Sequence, residues 1–208
     1  MSQAGIIAES GGNGGVSAGA YPGFMTGDAY YTSAHGTRSL AITDTITITT
    51  LVGDILFTPF FCGIDFTWDR ISAYCQTAGS SGDEIELLIY DNGSDGQPDN
   101  LLVSSGSLDI SSTGLKEATI NYAMSAGWYW LGCLIDNGNS GSPKLYAFET
   151  NSTLATPYIC PFPRLAASIN TDQSSLRSTG TFTVGNATND PSVSLGTGDT
   201  PMIFLRKT

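Results

Sequence analysis

The sequence predicts an all-β protein, one antiparallel β-sandwich preceded by an extended Gly-rich arm. Three observations lead there. Glycine is abundant, with 25 in 208 residues, and each costs a helix interior about 1 kcal/mol against Ala. No window sustains the 3.6-residue apolar period of an amphipathic helix. Instead, short apolar runs alternate with Gly/Asn/Asp/Ser turns at roughly ten-residue spacing, as in a sandwich or barrel.

Residues 1–38 stand apart. The run GGNGGVSAGAYPG has too few bulky side chains to bury a core of its own. Such a segment becomes ordered by docking on a neighbouring chain, or by folding back on its own domain, which offsets the entropy of ordering it. We read 1–38 as an arm for attachment or assembly and 39–208 as the sandwich. From Leu40 to Leu51 apolar residues alternate with Thr, the pattern of a strand with one buried face. Ile55–Phe66 is a second strand, in which Pro59 marks an edge or a bulge. Trp68–Thr77 is a third, ending in the loop AGSSGD. The strand IELLIY (Ile85–Tyr90) enters the acidic turn DNGSDGQPDN and returns as LLVSSGSLDI (Leu101–Ile110). A turn at SSTGLK leads to EATINY, and GWYWLGCLI (Gly127–Ile135) follows. After the turn-rich IDNGNSGSPK come the strand KLYAFE, an irregular stretch with three prolines (TNSTLATPYICPFPRL), and closing strands at TFTVG and PMIFLRKT.

Charge excludes several functions. Eight basic against 19 acidic residues give a net charge of −11. Nucleic-acid binding requires clustered Lys and Arg that release counterions. No such cluster exists here, so neither a nucleic acid nor an anionic membrane is an expected partner. No apolar run approaches the length of a membrane span, and the opening MSQAGIIAES lacks the basic and apolar regions of a secretory signal. The protein is therefore expected to be made in a cytoplasm. Only 13% of residues are charged, which leaves a surface of Ser, Thr, Asn and Gly. The four cysteines (Cys62, Cys75, Cys133 and Cys160) form no CxxC pair, and the single histidine cannot complete a zinc finger. Four cysteines allow three disulfide pairings, but Cys75 and Cys133 sit in apolar strands, where a reduced thiol packs as a small hydrophobe, and we read reduced cysteines ahead of disulfides.

Catalytic patterns are weak. His35 lies in the Gly-flanked segment YYTSAHGTR with Asp28 and Ser33 near in sequence, and reads as a loop histidine rather than a triad base. There is no GxSxG, P-loop or HExxH pattern. Asp83, Glu84 and Glu86 could form a glycosidase-like carboxylate set, but acidic residues at strand ends ordinarily serve solubility and edge protection. The turn residues Asp91, Asn92, Ser94, Asp95 and Asp99 offer oxygens to a calcium ion. Asn-Gly and Asp-Gly are also plain turn formers, and we expect no metal and no cofactor. In GWYWLG, Trp128 and Trp130 share one face of the strand and Tyr129 and Leu131 the other. The candidate binding residues are Asp91, Asn92, Asp95 and Trp128.

The runs PFFCGIDFTWDRISAYC, ELLIYDNGSDGQPDNLLVSSGSLDISSTGLKEATI and SAGWYWLGCLI, from about Thr58 to Ile135, resemble a domain of tailed-bacteriophage structural proteins, notably tail fibres and head fibres. The shared pattern is a strand ending in IYD, a Gly/Pro turn, an LL strand, a TGLK turn and a GWYWL strand. The ending PMIFLRKT is similar to the terminal strand of such proteins. The resemblance implies a jelly-roll-like, non-enzymatic module on the exterior of a virion, typically oligomeric and often engaged in host attachment. It transfers no catalytic residue. The expected function is thus a tail-fibre or receptor-binding module, a homotrimer held to other virion proteins through residues 1–38 and touching a host-surface glycan. The alternatives are a head decoration or head-fibre protein, a carbohydrate-binding module of a secreted protein and, last, a glycoside hydrolase.

Overall fold

The computed structural model describes residues 30–32, 45–47, 53–94, 96–136, 141–148, 175–178, 194–196 and 200–208. All regular structure among them is strand: β1 (Tyr30–Tyr31), β2 (Thr45–Thr47), β3 (Ile55–Cys62), β4 (Phe66–Thr77), β5 (Glu84–Asn92), β6 (Pro98–Asp109), β7 (Gly114–Met124), β8 (Gly127–Asp136), β9 (Lys144–Phe148), β10 (Ser175–Ser178), β11 (Ser194–Gly196), β12 (Thr200–Pro201) and β13 (Ile203–Arg206).

Pairing defines the topology. Four antiparallel pairs nest one inside another: β5 with β6, β4 with β7, β3 with β8 and β2 with β9. Two further pairs, β5 with β8 and β4 with β9, roll this long ribbon into two sheets with the orders β2-β9-β4-β7 and β3-β8-β5-β6. Eight strands wound this way are a jelly roll. The remaining strands extend it. In the first sheet β13 continues the edge of β4 alongside Arg70–Ala73, and β1 caps β13 through Tyr30↔Arg206 and Tyr31↔Leu205. Tyr30 and Tyr31 fall inside the 1–38 arm of the sequence reading, so the chain joins the sandwich before residue 39. In the second sheet β10 and β11 extend β3. These two short strands are ones the sequence reading did not contain. Cys160 and the expected strand TFTVG lie outside the described residues.

Each turn has a chemical cause. At the β4–β5 loop, the buried Asp83 carboxylate accepts the Ser80 amide at 2.8 Å and packs against Gly79, where a Cβ would collide with it. At the β6–β7 turn Asp109 accepts the Ser111 amide at 2.7 Å, and Gly114 takes φ +115°. The Ser111 hydrogen bonds hold the Asp109 carboxyl below the usual range. Pro59 is tolerated because β10 stops at Phe57, which leaves Pro59 paired only with Trp130 of β8 among the described residues.

The core lies between the sheets. Leu56, Phe60 and Cys62 of β3, Ile85, Leu87 and Ile89 of β5, and Leu131, Cys133 and Ile135 of β8 face Trp68, Ile71, Ala73 and Cys75 of β4, with Leu145, Ile203 and Leu205 behind. Trp68 carries Phe66, Tyr31 and Phe60 around its ring at 4.7, 5.7 and 6.0 Å. Cys62, Cys75 and Cys133 are free and buried. Burial pushes the Cys62 thiol up to about 11 and that of Cys133 up to about 12, so both pack as neutral hydrophobes.

The outer face of the second sheet is apolar as well. Ile55, Phe57, Leu88, Tyr90 and Trp130 are each 0% exposed, although their strand positions point away from the core. Gly132 sits at the centre of this face, where a Cβ would lie 3.3 Å from Ile55 Cγ2 and 3.3 Å from Leu88 Cβ. Phe57 and Tyr90 meet edge to face at 5.3 Å.

The last residues clamp the fold. Asp69 accepts hydrogen bonds from Lys207 Nζ at 2.9 Å, from the Thr208 amide at 3.0 Å and from the Thr208 hydroxyl at 2.7 Å. Burial opposes ionisation of Asp69, and the Thr208 and Lys207 donors outweigh it, holding the carboxyl far below the usual carboxylate range. Beside it Glu117 Oε1 receives Arg206 Nη2 at 2.8 Å and Arg70 Nε at 3.4 Å.

Candidate functional site

One end of the jelly roll gathers the β3–β4 loop (63–65), the β5–β6 hairpin (93–97) and the β7–β8 turn (125–126). The register that places them together pairs Cys62 with Gly127, Phe61 with Trp128 and Asp91 with Tyr129. Asp65 Oδ1 accepts the Ala126 amide at 2.8 Å, and the Tyr129 hydroxyl donates to the Ser125 carbonyl at 3.0 Å. Two of the loops are thereby tied to each other and to the sheet.

The candidate residues divide. Asp91 uses both carboxylate oxygens on Asn100, accepting its amide at 2.6 Å and its Nδ2 at 2.9 Å, which closes the β5–β6 hairpin. The hairpin is completed by Gly93 N to Gln97 O at 2.7 Å and Gly96 N to Gly93 O at 2.9 Å, with Gly96 at φ +75°. Asn92 Oδ1 accepts the indole N–H of buried Trp130 at 2.9 Å. Leaving that donor unpaired would cost about 1–3 kcal/mol. Half-buried Asn92 is thus a structural acceptor for the sheet. Asp95 lies outside the described residues. Trp128 is half-buried and sits beside Phe61, with ring centroids 4.9 Å apart and planes 42° apart. Phe61 itself is 44% exposed.

Phe61 is the residue sequence reading missed. In PFFC it looks like one more core position, and the signal lay in parity: Phe60 faces inward, so Phe61 must face outward. Once Phe61 pairs with Trp128, two aromatic faces lie together at the open end of an otherwise closed surface. Asn92 lies on the same face of the neighbouring strand.

The electrostatics of this end are mild. Burial, followed by Tyr129, Asp91 and Cys62, pushes the Tyr122 phenol up to about 12. The Cys62 Sγ–H donates to the Ile64 carbonyl at 3.1 Å. A thiol and a phenol raised in this way stay protonated at neutral pH and supply neither a nucleophile nor a base. Among the described residues no group of three or more His, Cys, Asp or Glu is arranged to hold a metal. Glu86, of the carboxylate set in DEIE, accepts the Ser104 hydroxyl across the β5–β6 pair, and Asp83 caps its loop as described. Asp28, Ser33 and His35 lie outside the described residues. What this end offers chemically is a pair of aromatic rings inclined at 42° to each other, with the Asn92 amide on the same face, suited to stacking and hydrogen bonding with a neutral polar ligand. No family model matches the chain, and no curated protein matches it.

Proposed function

We propose that this chain is a non-enzymatic virion structural protein, a phage tail-fibre or receptor-binding module that anchors through its N-terminal residues and contacts host-surface glycans. The observation that carries the reading is the exposed Phe61 ring beside half-buried Trp128 at the loop end of a jelly roll. Pyranose rings present C–H faces that stack on aromatic rings, and their hydroxyls pair with amides such as that of Asn92. Jelly rolls are scaffolds of viral capsid and lectin domains alike. Three free, buried thiols suit a protein folded in a reducing cytoplasm. Single-site affinity at such a platform is weak, and repeated copies on a particle raise it through effective concentration.

The same platform would serve a carbohydrate-binding module of a secreted protein, and the two readings part on assembly. The test is retention of the purified protein on an array of bacterial cell-surface polysaccharides, with Trp128→Ala and Phe61→Ala alongside and release of reducing sugar monitored. Retention of the wild type, loss in both variants and no sugar release are expected. Equal retention of wild type and variants, or turnover of any polysaccharide, would overturn the proposal.

A further inference from the structure

The charged groups described at the loop end are of one sign. Asp91 and Asp99 each turn a carboxylate oxygen to the same neutral donor, Asn100 Nδ2, at 2.9 and 3.2 Å. Pro98 pairs with Asn92, so Asp99 enters the edge strand β6 at the level of the aromatic row. Asp65, exposed in the β3–β4 loop, accepts the Ala126 amide two residues before Trp128. Their charge is felt on the strand that carries Trp128: burial first, then Cys62, Asp65 and Asp91, push the Tyr129 phenol up.

The described Lys and Arg residues lie elsewhere. Arg70, Lys116, Lys144 and Arg206 belong to β4, β7, β9 and β13 of the first sheet, and Lys207 follows β13 and bonds Asp69 at 2.9 Å. Arg177 of β10 pairs with Leu56, whereas Phe61 stands at the other end of the same strand β3. The first sheet also bears the other exposed apolar group, Tyr74 with Leu115 in register and Tyr146 stacked on it at 4.9 Å. The two exposed apolar groups therefore differ in charge as well as in place. Cations share the sheet of Tyr74 and Leu115, and carboxylates share the end of Phe61 and Trp128.

We infer that the Phe61–Trp128 pair takes uncharged saccharides and rejects acidic ones, with Asp65, Asp91 and Asp99 acting as a charge filter on the glycan. The inference rests on the glycan reading above and names the class of glycan within it. Each of the three carboxylates already accepts a hydrogen bond from Asn100 or Ala126. They act on a ligand through their field, not as its ion-pair partners. A neutral ring stacks on the aromatic pair without electrostatic cost. A uronate or a phosphate-bearing sugar in the same place meets like charge, and the net charge of −11 adds to the repulsion at long range. Negative charge at the rim thus selects among glycans by excluding a class of them.

The test measures the affinity of the full chain for matched polysaccharides: neutral bacterial polysaccharides, and the same polymers with primary hydroxyls oxidised to carboxylates. The wild type should bind the neutral forms more tightly at about 0.01 M salt, and the deficit of the oxidised forms should close at about 1 M, where charges are screened. In the double variant Asp65→Asn/Asp99→Asn, which keeps an acceptor oxygen at both positions, the deficit at low salt should narrow about fourfold. That is the factor for removing two unit charges at roughly 10 Å in water. Circular dichroism checks its fold, and the salt series on the wild type tests the filter independently of any variant. Equal or tighter binding of the oxidised forms at low salt, lost in Trp128→Ala, would overturn the charge filter and leave the aromatic pair as the receptor site. A deficit indifferent to salt and to the double variant would also overturn it. Binding of neither form, or binding that survives Trp128→Ala, would overturn the receptor reading and the filter together.

Discussion

The outer face of the β3–β8–β5 sheet is closed along most of its length, whereas that of the β4–β7 sheet leaves Tyr74 and Leu115 exposed. The cause is visible in adjacent residues. On β5, Leu87 faces the core and Leu88 faces outward, and both are 0% exposed. On β4, Ile71 faces the core, while the outward positions are Arg70, Ser72 and the exposed Tyr74. A strand apolar at both parities is built to be covered twice, and one that alternates is built to be covered once. The open surfaces that remain, Phe61–Trp128 at one end and Tyr74–Leu115–Tyr146 across the other sheet, are where large apolar groups stay exposed against this logic. They are therefore the places to seek partners.

The sharpest way to break this contrast is to compare Leu87→Ala with Leu88→Ala. Both should cost about 2–5 kcal/mol, measured by urea denaturation. A cost for Leu88→Ala below the surface range of about 0.5 kcal/mol would mean that the outer layer is not a core. Gly132→Ala comes next. Its new methyl meets Leu88 Cβ and Ile55 Cγ2 at 3.3 Å, and Leu88 Cβ is fixed by the backbone, so a loss of about 1–3 kcal/mol from overpacking is expected. An unchanged denaturation midpoint would contradict that packing.

Asn92→Ala should destabilise by about 1–2 kcal/mol by stranding the Trp130 indole N–H. It should weaken glycan binding less than Trp128→Ala does, and the reverse order would make Asn92 the primary contact. The smallest expected effect is at the C-terminal clamp. Asp69 is held below its ordinary value by Thr208 and Lys207. The unfolded carboxyl titrates near pH 3.9, so the clamp's contribution is full above that pH and is lost as pH falls toward the folded value. Asp69→Asn should cost about 1–2 kcal/mol at pH 7, and the gap to wild type should shrink below about pH 4. A pH-independent gap would remove the charge-assisted account.

Much of this was legible in the sequence. IELLIY and GWYWLGCLI are apolar at both parities, and LLVSSGSLDI is not, so the central strands and the edge strand could be told apart. The β5–β6 hairpin follows from its Asn-Gly and Asp-Gly turn. Jelly-roll topology was not readable from the strands themselves, because the nesting of β2 with β9 and β3 with β8 depends on contacts far apart in the chain. The clamp was equally hidden, since nothing in FTWDR announces that Asp69 will meet Lys207 and Thr208. At the candidate site, Trp128 was singled out from its aromatic context, and its neighbour Phe61 was not, because an FF pair gives no hint of which ring faces out until the register is known. Asp91 and Asn92 were chosen as loop polar groups, and the structure gives both a hydrogen-bonding role within the hairpin and sheet.

The most direct measurement exploits the three tryptophans. Trp68 and Trp130 are fully buried, so acrylamide quenching of intrinsic fluorescence reports chiefly on half-buried Trp128. Titration with bacterial surface polysaccharide should protect that fluorescence saturably in the wild type and not in Phe61→Ala. Quenching that is indifferent to every polysaccharide, or protection that survives loss of Phe61, would contradict the aromatic platform as the receptor-binding surface.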